Sequence, residues 1–74
     1  MTVQEEQKIL TFFKKHKLNI ENRPEYQEDK KMLLEVAEKT MRLLGDAGEQ
    51  LITKTEVVSK MFEQQLQERI NKQT

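Results

Sequence analysis

Residues that interrupt a helix are nearly absent from this chain, and their positions divide it. In 74 residues there is one proline, Pro24, and there are two glycines, Gly45 and Gly48. Between these points apolar residues recur at spacings of three and four, the period of one face of an α-helix. The pattern predicts an all-α fold in a single domain over residues 1–74. It has helices at about 3–17, 25–44 and 47–71 and a polar tail at 72–74. The short break at Gly45-Asp46-Ala47-Gly48 is expected to fold the second and third helices back on each other. The architecture is then a short N-terminal helix plus a long antiparallel helical hairpin.

Local signals support these bounds. Thr2, with Glu5 three residues on, has the capping-box form, in which hydroxyl and carboxylate satisfy orphan backbone N–H groups. Ile9, Leu10, Phe12 and Phe13 form a dense apolar patch. Lys14, Lys15, His16 and Lys17 close the helix, where positive charge complements its dipole. A loop over Leu18 to Arg23 leads to Pro24, whose missing N–H costs nothing in a first helical turn. The second helix should turn inward Tyr26, Leu33, Ala37, Met41 and Leu44, with Leu34, Val36 and Leu43 on the flanks. Gly45 is placed to end it in a left-handed turn.

The third helix carries Leu51, Ile52, Val57, Val58, Met61, Phe62, Leu66 and Ile70. Its soft point is Thr53-Lys54-Thr55, with two β-branched residues and no apolar contact. A continuous helix is the expectation. A start near Lys54, with Thr53 and Glu56 as a later capping box, is the alternative. Val58, Phe62, Leu66 and Ile70 recur every four residues, so the stripe drifts around the helix and a strict coiled coil is not expected. The expected core or dimer contacts are Leu33, Ala37, Met41, Leu44, Leu51, Val58, Phe62 and Leu66.

A chain this short sits near the lower limit for a self-sufficient core. It has no cysteine for a disulfide, and a single histidine leaves no plausible ligand set for a structural zinc. Self-association is the remaining route to stability, so a homodimer is expected. Acidic and basic side chains balance at 13 each, which argues against direct binding of nucleic acid through a basic excess. No apolar run approaches the ~20 residues of a membrane span, and no signal-peptide core is seen, so a cytoplasmic protein is expected.

Catalysis needs an acid, base or nucleophile held in a pocket. The one histidine, His16, lies in a lysine-rich helix end. Glu25, Glu28, Asp29 and Glu35 lie among lysines on an exposed helix, and a solvated face explains them better than an acid–base pair. No glycine-rich loop is present to cradle a phosphate. The expectation is a non-enzymatic protein that takes no cofactor and no metal and acts on a protein partner.

Two features bear on that partner. Glu49, Glu56 and Glu63 recur every seven residues and form an acidic stripe, either a solubilising face or a docking row for a basic surface. Lys54, Lys60 and Arg69 interrupt it. Gln7-Lys8-Ile9-Leu10-Thr11-Phe12 has the form Q-x-x-L-x-F. It resembles the hexapeptide by which bacterial polymerases and repair proteins hook onto the replication sliding clamp. There the apolar pair fills a pocket and the glutamine amide fixes orientation. The plainer reading of Ile9, Leu10, Phe12 and Phe13 is core or dimer contact.

In size, helical character, hexapeptide and acidic stripe the chain is similar to small phage-encoded helical inhibitors of host machinery, in particular of the sliding clamp. The resemblance implies a small dimer that occupies the clamp ring or its pocket, blocks loading onto DNA and so stops host replication. It makes Gln7, Leu10, Phe12, Phe13, Glu49, Glu56 and Glu63 the candidate partner-binding residues. One departure is plain: a protein that fills a basic channel should be acidic, and this chain is neutral. Two other functions stay open. One is an adaptor or antirepressor that sequesters a transcription or recombination protein. The other is a structural or chaperone-like helical oligomer.

Overall fold

A computed structural model of the chain describes residues 1–47 and 54–73. All regular structure among them is helical: α1 (Val3–Lys15), a 3-10 turn (Ile20–Asn22), α2 (Pro24–Glu28), α3 (Lys30–Ala47) and α4 (Thr55–Gln73).

The caps explain most of the boundaries. Thr2 starts α1: its Oγ1 accepts the Glu5 N–H at 3.1 Å and donates to Glu5 Oε1 at 3.2 Å. Glu5 and Glu6 occupy the positive end of the helix dipole, and Lys14 and Lys15 the negative end. The helix stops two residues before the expected Lys17, in a Schellman motif. The Leu18 N–H bonds to the Phe13 carbonyl at 2.8 Å and the Lys17 N–H to the Lys14 carbonyl at 2.9 Å. Lys17 carries the left-handed residue, with φ 61°. Sequence reasoning looks for glycine there, and its absence hid the stop. Asn19 caps the 3-10 turn, its Oδ1 accepting the Glu21 N–H at 3.1 Å.

The expected helix over 25–44 is instead two helices with a corner at Asp29. The chain there has φ −151° and ψ 75°, and Asp29 belongs to both neighbours. Its N–H bonds back to the Glu25 carbonyl at 2.8 Å, and its Oδ1 accepts the Met32 N–H at 3.2 Å. An aspartate offers the backbone this local alternative to a continuous helical ladder.

Two more expectations are corrected at the other end of α3. Gly45 does not stop the helix, which continues to Ala47; Gly45 shows no left-handed φ, and a Cβ there would meet nothing within 4 Å. The third helix does not run unbroken from about 47. Lys54 is non-helical, and its carbonyl accepts the Val57 and Val58 N–H groups at 3.1 and 3.2 Å, so α4 begins at Thr55. Leu51 and the rest of 48–53, on which the hairpin connection depends, lie outside the described residues.

The core gathers Ile9, Leu10 and Phe13 from α1, Ile20 from the 3-10 turn, and the inner faces of α3 and α4. Leu33, Ala37 and Leu44 are fully buried on α3; Val58, Phe62 and Leu66 are buried on α4; Met41 is half-buried against the cluster. The Phe13 and Phe62 rings meet edge to face with centroids 5.2 Å apart, tying α1 to α4. Thr40 is the one buried polar residue among those described. Its hydroxyl donates to the Val36 carbonyl one turn back at 2.9 Å, so its burial leaves no unmet donor.

This packing sets two stability outcomes. Leu33→Ala and Phe62→Ala should each lower unfolding free energy by about 2–5 kcal/mol in urea melts, because each empties a filled site. Gly45→Ala should raise it by about 0.5–1 kcal/mol, because the position is helical and has room for a methyl group. A lowered midpoint for Gly45→Ala would place Gly45 outside a helix.

Candidate protein-docking surface

The residues of the hexapeptide part company in the fold, because a helix sends neighbours to different faces. Gln7, Lys8 and Thr11 are exposed; Ile9 and Leu10 are 3% and 5% exposed; Phe12 is half-buried. Phe13, the other apolar candidate, is fully buried against α4. Leu10 and Phe13 are therefore occupied by the core. Of the candidate partner-binding residues on α1, Gln7 and one edge of Phe12 reach the surface.

The acidic stripe is similarly divided. Glu56 is exposed, Glu63 is exposed but engaged, and Glu49 lies outside the described residues. The Arg23 guanidinium grips the Glu63 carboxylate through both terminal nitrogens, and its Nε donates to Glu25 at 3.1 Å. The same guanidinium lies over the Phe62 ring, 5.4 Å from the centroid. Arg23 thus pins the start of α2 to α4 and takes Glu63 out of any free acidic row.

Two open clefts lie along the seam between α1 and α3. At the N-terminal end of α1 a cleft of about 630 Å³ is lined by Met1, Val3 and Leu34, with Glu5, Glu6, Glu35, Glu38, Lys30 and Lys31 around it. Met1 and Val3 are 59% and 73% exposed, the large apolar side chains left in solvent among the described residues. A second cleft of about 440 Å³ continues the seam, with Ile9 and Met41 among Glu5, Lys8, Glu38 and Arg42. Both are open to solvent, a shape that suits a macromolecular surface better than an enclosed small substrate. Among the described residues no group of His, Asp or Glu is arranged to hold a metal ion, and no helix is long and apolar enough to cross a membrane.

Comparison with protein-family models, curated proteins and solved structures finds no match.

One polar cluster beside the first cleft escaped sequence reasoning. Glu6 Oε1 accepts from Lys30 Nζ at 2.6 Å and from the Tyr26 hydroxyl at 3.2 Å. The Lys30 ammonium lies 5.4 Å from the Tyr26 ring centroid. Three helices are joined here across 20 or more positions of sequence, which no periodicity reveals. The one signal in the sequence is Tyr26 itself, an inward tyrosine whose hydroxyl needs a partner.

The cluster sets opposite pKa directions. The hydrogen bond from Lys30 holds the Glu6 carboxyl below its ordinary value. Burial first, then the hydrogen bond to Glu6, pushes the Tyr26 phenol up. The hydrogen bond to Glu6 raises Lys30. A lowered carboxyl pKa gives stability that is present above the ordinary carboxylate range and is lost as pH falls through the lowered value. The raised Tyr26 and Lys30 contribute fully below their ordinary values and lose that contribution as pH rises through the raised ones. Glu6→Gln should therefore lower stability near neutral pH and flatten its decline from about pH 7 to about pH 3. Urea midpoints across that range check it; parallel curves for both proteins would remove Glu6 from the acid response.

Proposed function

We propose that this chain is a non-enzymatic regulator that binds a protein partner through its folded surface. The observation that carries this reading is the seam between α1 and α3: open clefts, exposed Met1 and Val3, and half-buried Met41 among charged side chains. Apolar centres inside a polar rim are the anatomy of protein interfaces.

In its sharpest form the proposal is a phage-type inhibitor, working as a homodimer in the host cytoplasm, that binds the bacterial sliding clamp and blocks its loading onto DNA. Gln7 and the edge of Phe12, both accessible on α1, support it. Leu10 lies in the core, so contact of this kind is made by the folded α1 and not by an extended hexapeptide.

Light scattering behind a sizing column tests both parts. Alone, the chain should elute at twice its 8.9 kDa mass; mixed with a purified bacterial clamp it should co-elute, and Gln7→Ala with Phe12→Ala should weaken that complex. A monomeric mass removes the dimer. Separate elution with clamps of several species removes the clamp as partner.

A further inference from the structure

We infer that the second cleft, together with the basic end of α1, is built to take an acidic segment of a partner protein that also carries an apolar anchor. This deepens the protein-binding reading above and rests on it.

Five cations line this stretch: Lys8, Lys14, Lys15 and Lys17 on or just beyond α1, and Arg42 on α3. Three carboxylates accompany them, and each is already engaged within the molecule. Glu5 accepts from the Thr2 hydroxyl at 3.2 Å, Glu21 meets Lys14 at 2.9 Å, and Glu38 meets Arg42 at 3.3 Å. Lys8, Lys15 and Lys17 are exposed, with no carboxylate in ion-pair reach among the described residues. The surface therefore has a local positive excess on a chain with no net charge.

The cations border apolar ground. Phe12 stands one turn from Lys8 and from Lys15 on α1, at the i−4 and i+3 positions that are neighbours on a helix. Its ring packs against the His16 ring with centroids 4.9 Å apart, and it is half-buried. Met41, also half-buried, lies in the cleft beside Lys8 and Ile9. Methionine adapts its shape to what it meets, which suits a surface that receives a side chain. A binding segment that places an apolar residue against Phe12 sets carboxylates before and after it against Lys8 and Lys15, which flank Phe12 on α1.

Selection from a random peptide display library on the full-length protein tests this. Synthetic copies of the enriched peptides are then titrated onto the wild-type chain and onto Lys8→Glu/Lys15→Glu. Both substitutions are at exposed sites, and matching thermal melts confirm that the variant folds. The expected result is enrichment of peptides with an acidic excess and an aromatic or aliphatic residue. Their affinity should fall at least about tenfold in the variant and decline with added salt. Enriched peptides without acidic excess, or equal binding by the variant, overturn this assignment and leave the protein-binding reading standing. Failure to enrich any peptide counts against both. Tighter binding of a single-stranded oligothymidine than of the peptides, lost in the variant, would show that the cations serve nucleic acid and overturn the assignment as well.

Discussion

The burial demand of α3 organises the molecule. Met32, Leu33, Leu34, Val36, Ala37, Thr40 and Leu44 are all buried. At about 100° per residue they cover roughly half the circumference of the helix, wider than the stripe of an ordinary surface helix. One neighbouring helix cannot cover so broad a face. α1 covers one side with Ile9, Leu10 and Phe13, and α4 covers another with Val58, Phe62 and Leu66. The Phe13–Phe62 ring contact closes the gap between the two. The remaining polar links are staples across this arrangement: Arg23 to Glu63, Lys30 to Glu6, and Arg69 to Glu35 at 3.4 Å. In each pair one partner is about half exposed to solvent, so each adds little compared with the apolar contacts beneath it.

The same burial limits how α1 can meet a partner. Releasing Ile9, Leu10 and Phe13 to solvent forfeits about 1.5–3 kcal/mol for each side chain. The total is comparable with the whole stability of a small domain, about 5–15 kcal/mol. Detaching α1 to present an extended Q-x-x-L-x-F segment is thus close to unfolding the protein. Gln7, Lys8, Thr11, Lys15 and the edge of Phe12 are the groups here that stay accessible while α1 remains packed. The division within six residues comes from helical geometry alone, since positions 9, 10 and 13 share a face that 8, 11 and 15 do not.

Much of the architecture is legible in the residues. The Thr2–Glu5 start of α1, Pro24 at the head of α2, and the buried positions Leu33, Ala37, Leu44, Val58, Phe62 and Leu66 all come from caps and from spacings of three and four. The departures lie where a helix stops or turns: at Lys17, which takes the left-handed position without being glycine, at Lys54, at Gly45 and at Asp29. Gly45 is of a type that often stops a helix, but it is equally able to continue one whose packing carries it onward. Asp29, in a run with a helical pattern, turns a corner because its own carboxylate caps the first turn of α3. The candidate surface is less legible. The hexapeptide and the acidic stripe are both linear patterns, and the fold divides each by burying Leu10 and pairing Glu63 with Arg23.

Helical character, and the side of α1, α3 and α4 that turns inward, are written in the order of the residues. Both depend on interactions within a few positions, repeated along each helix. Three meetings are settled by the packing of the helices and by nothing more local: Glu6 with Tyr26 and Lys30, Arg23 with Glu63 across forty positions, and Met41 with Lys8 at the rim of an open cleft. Those juxtapositions depend on how the other helices share the apolar surface of α3, and local chemistry carries no record of that geometry.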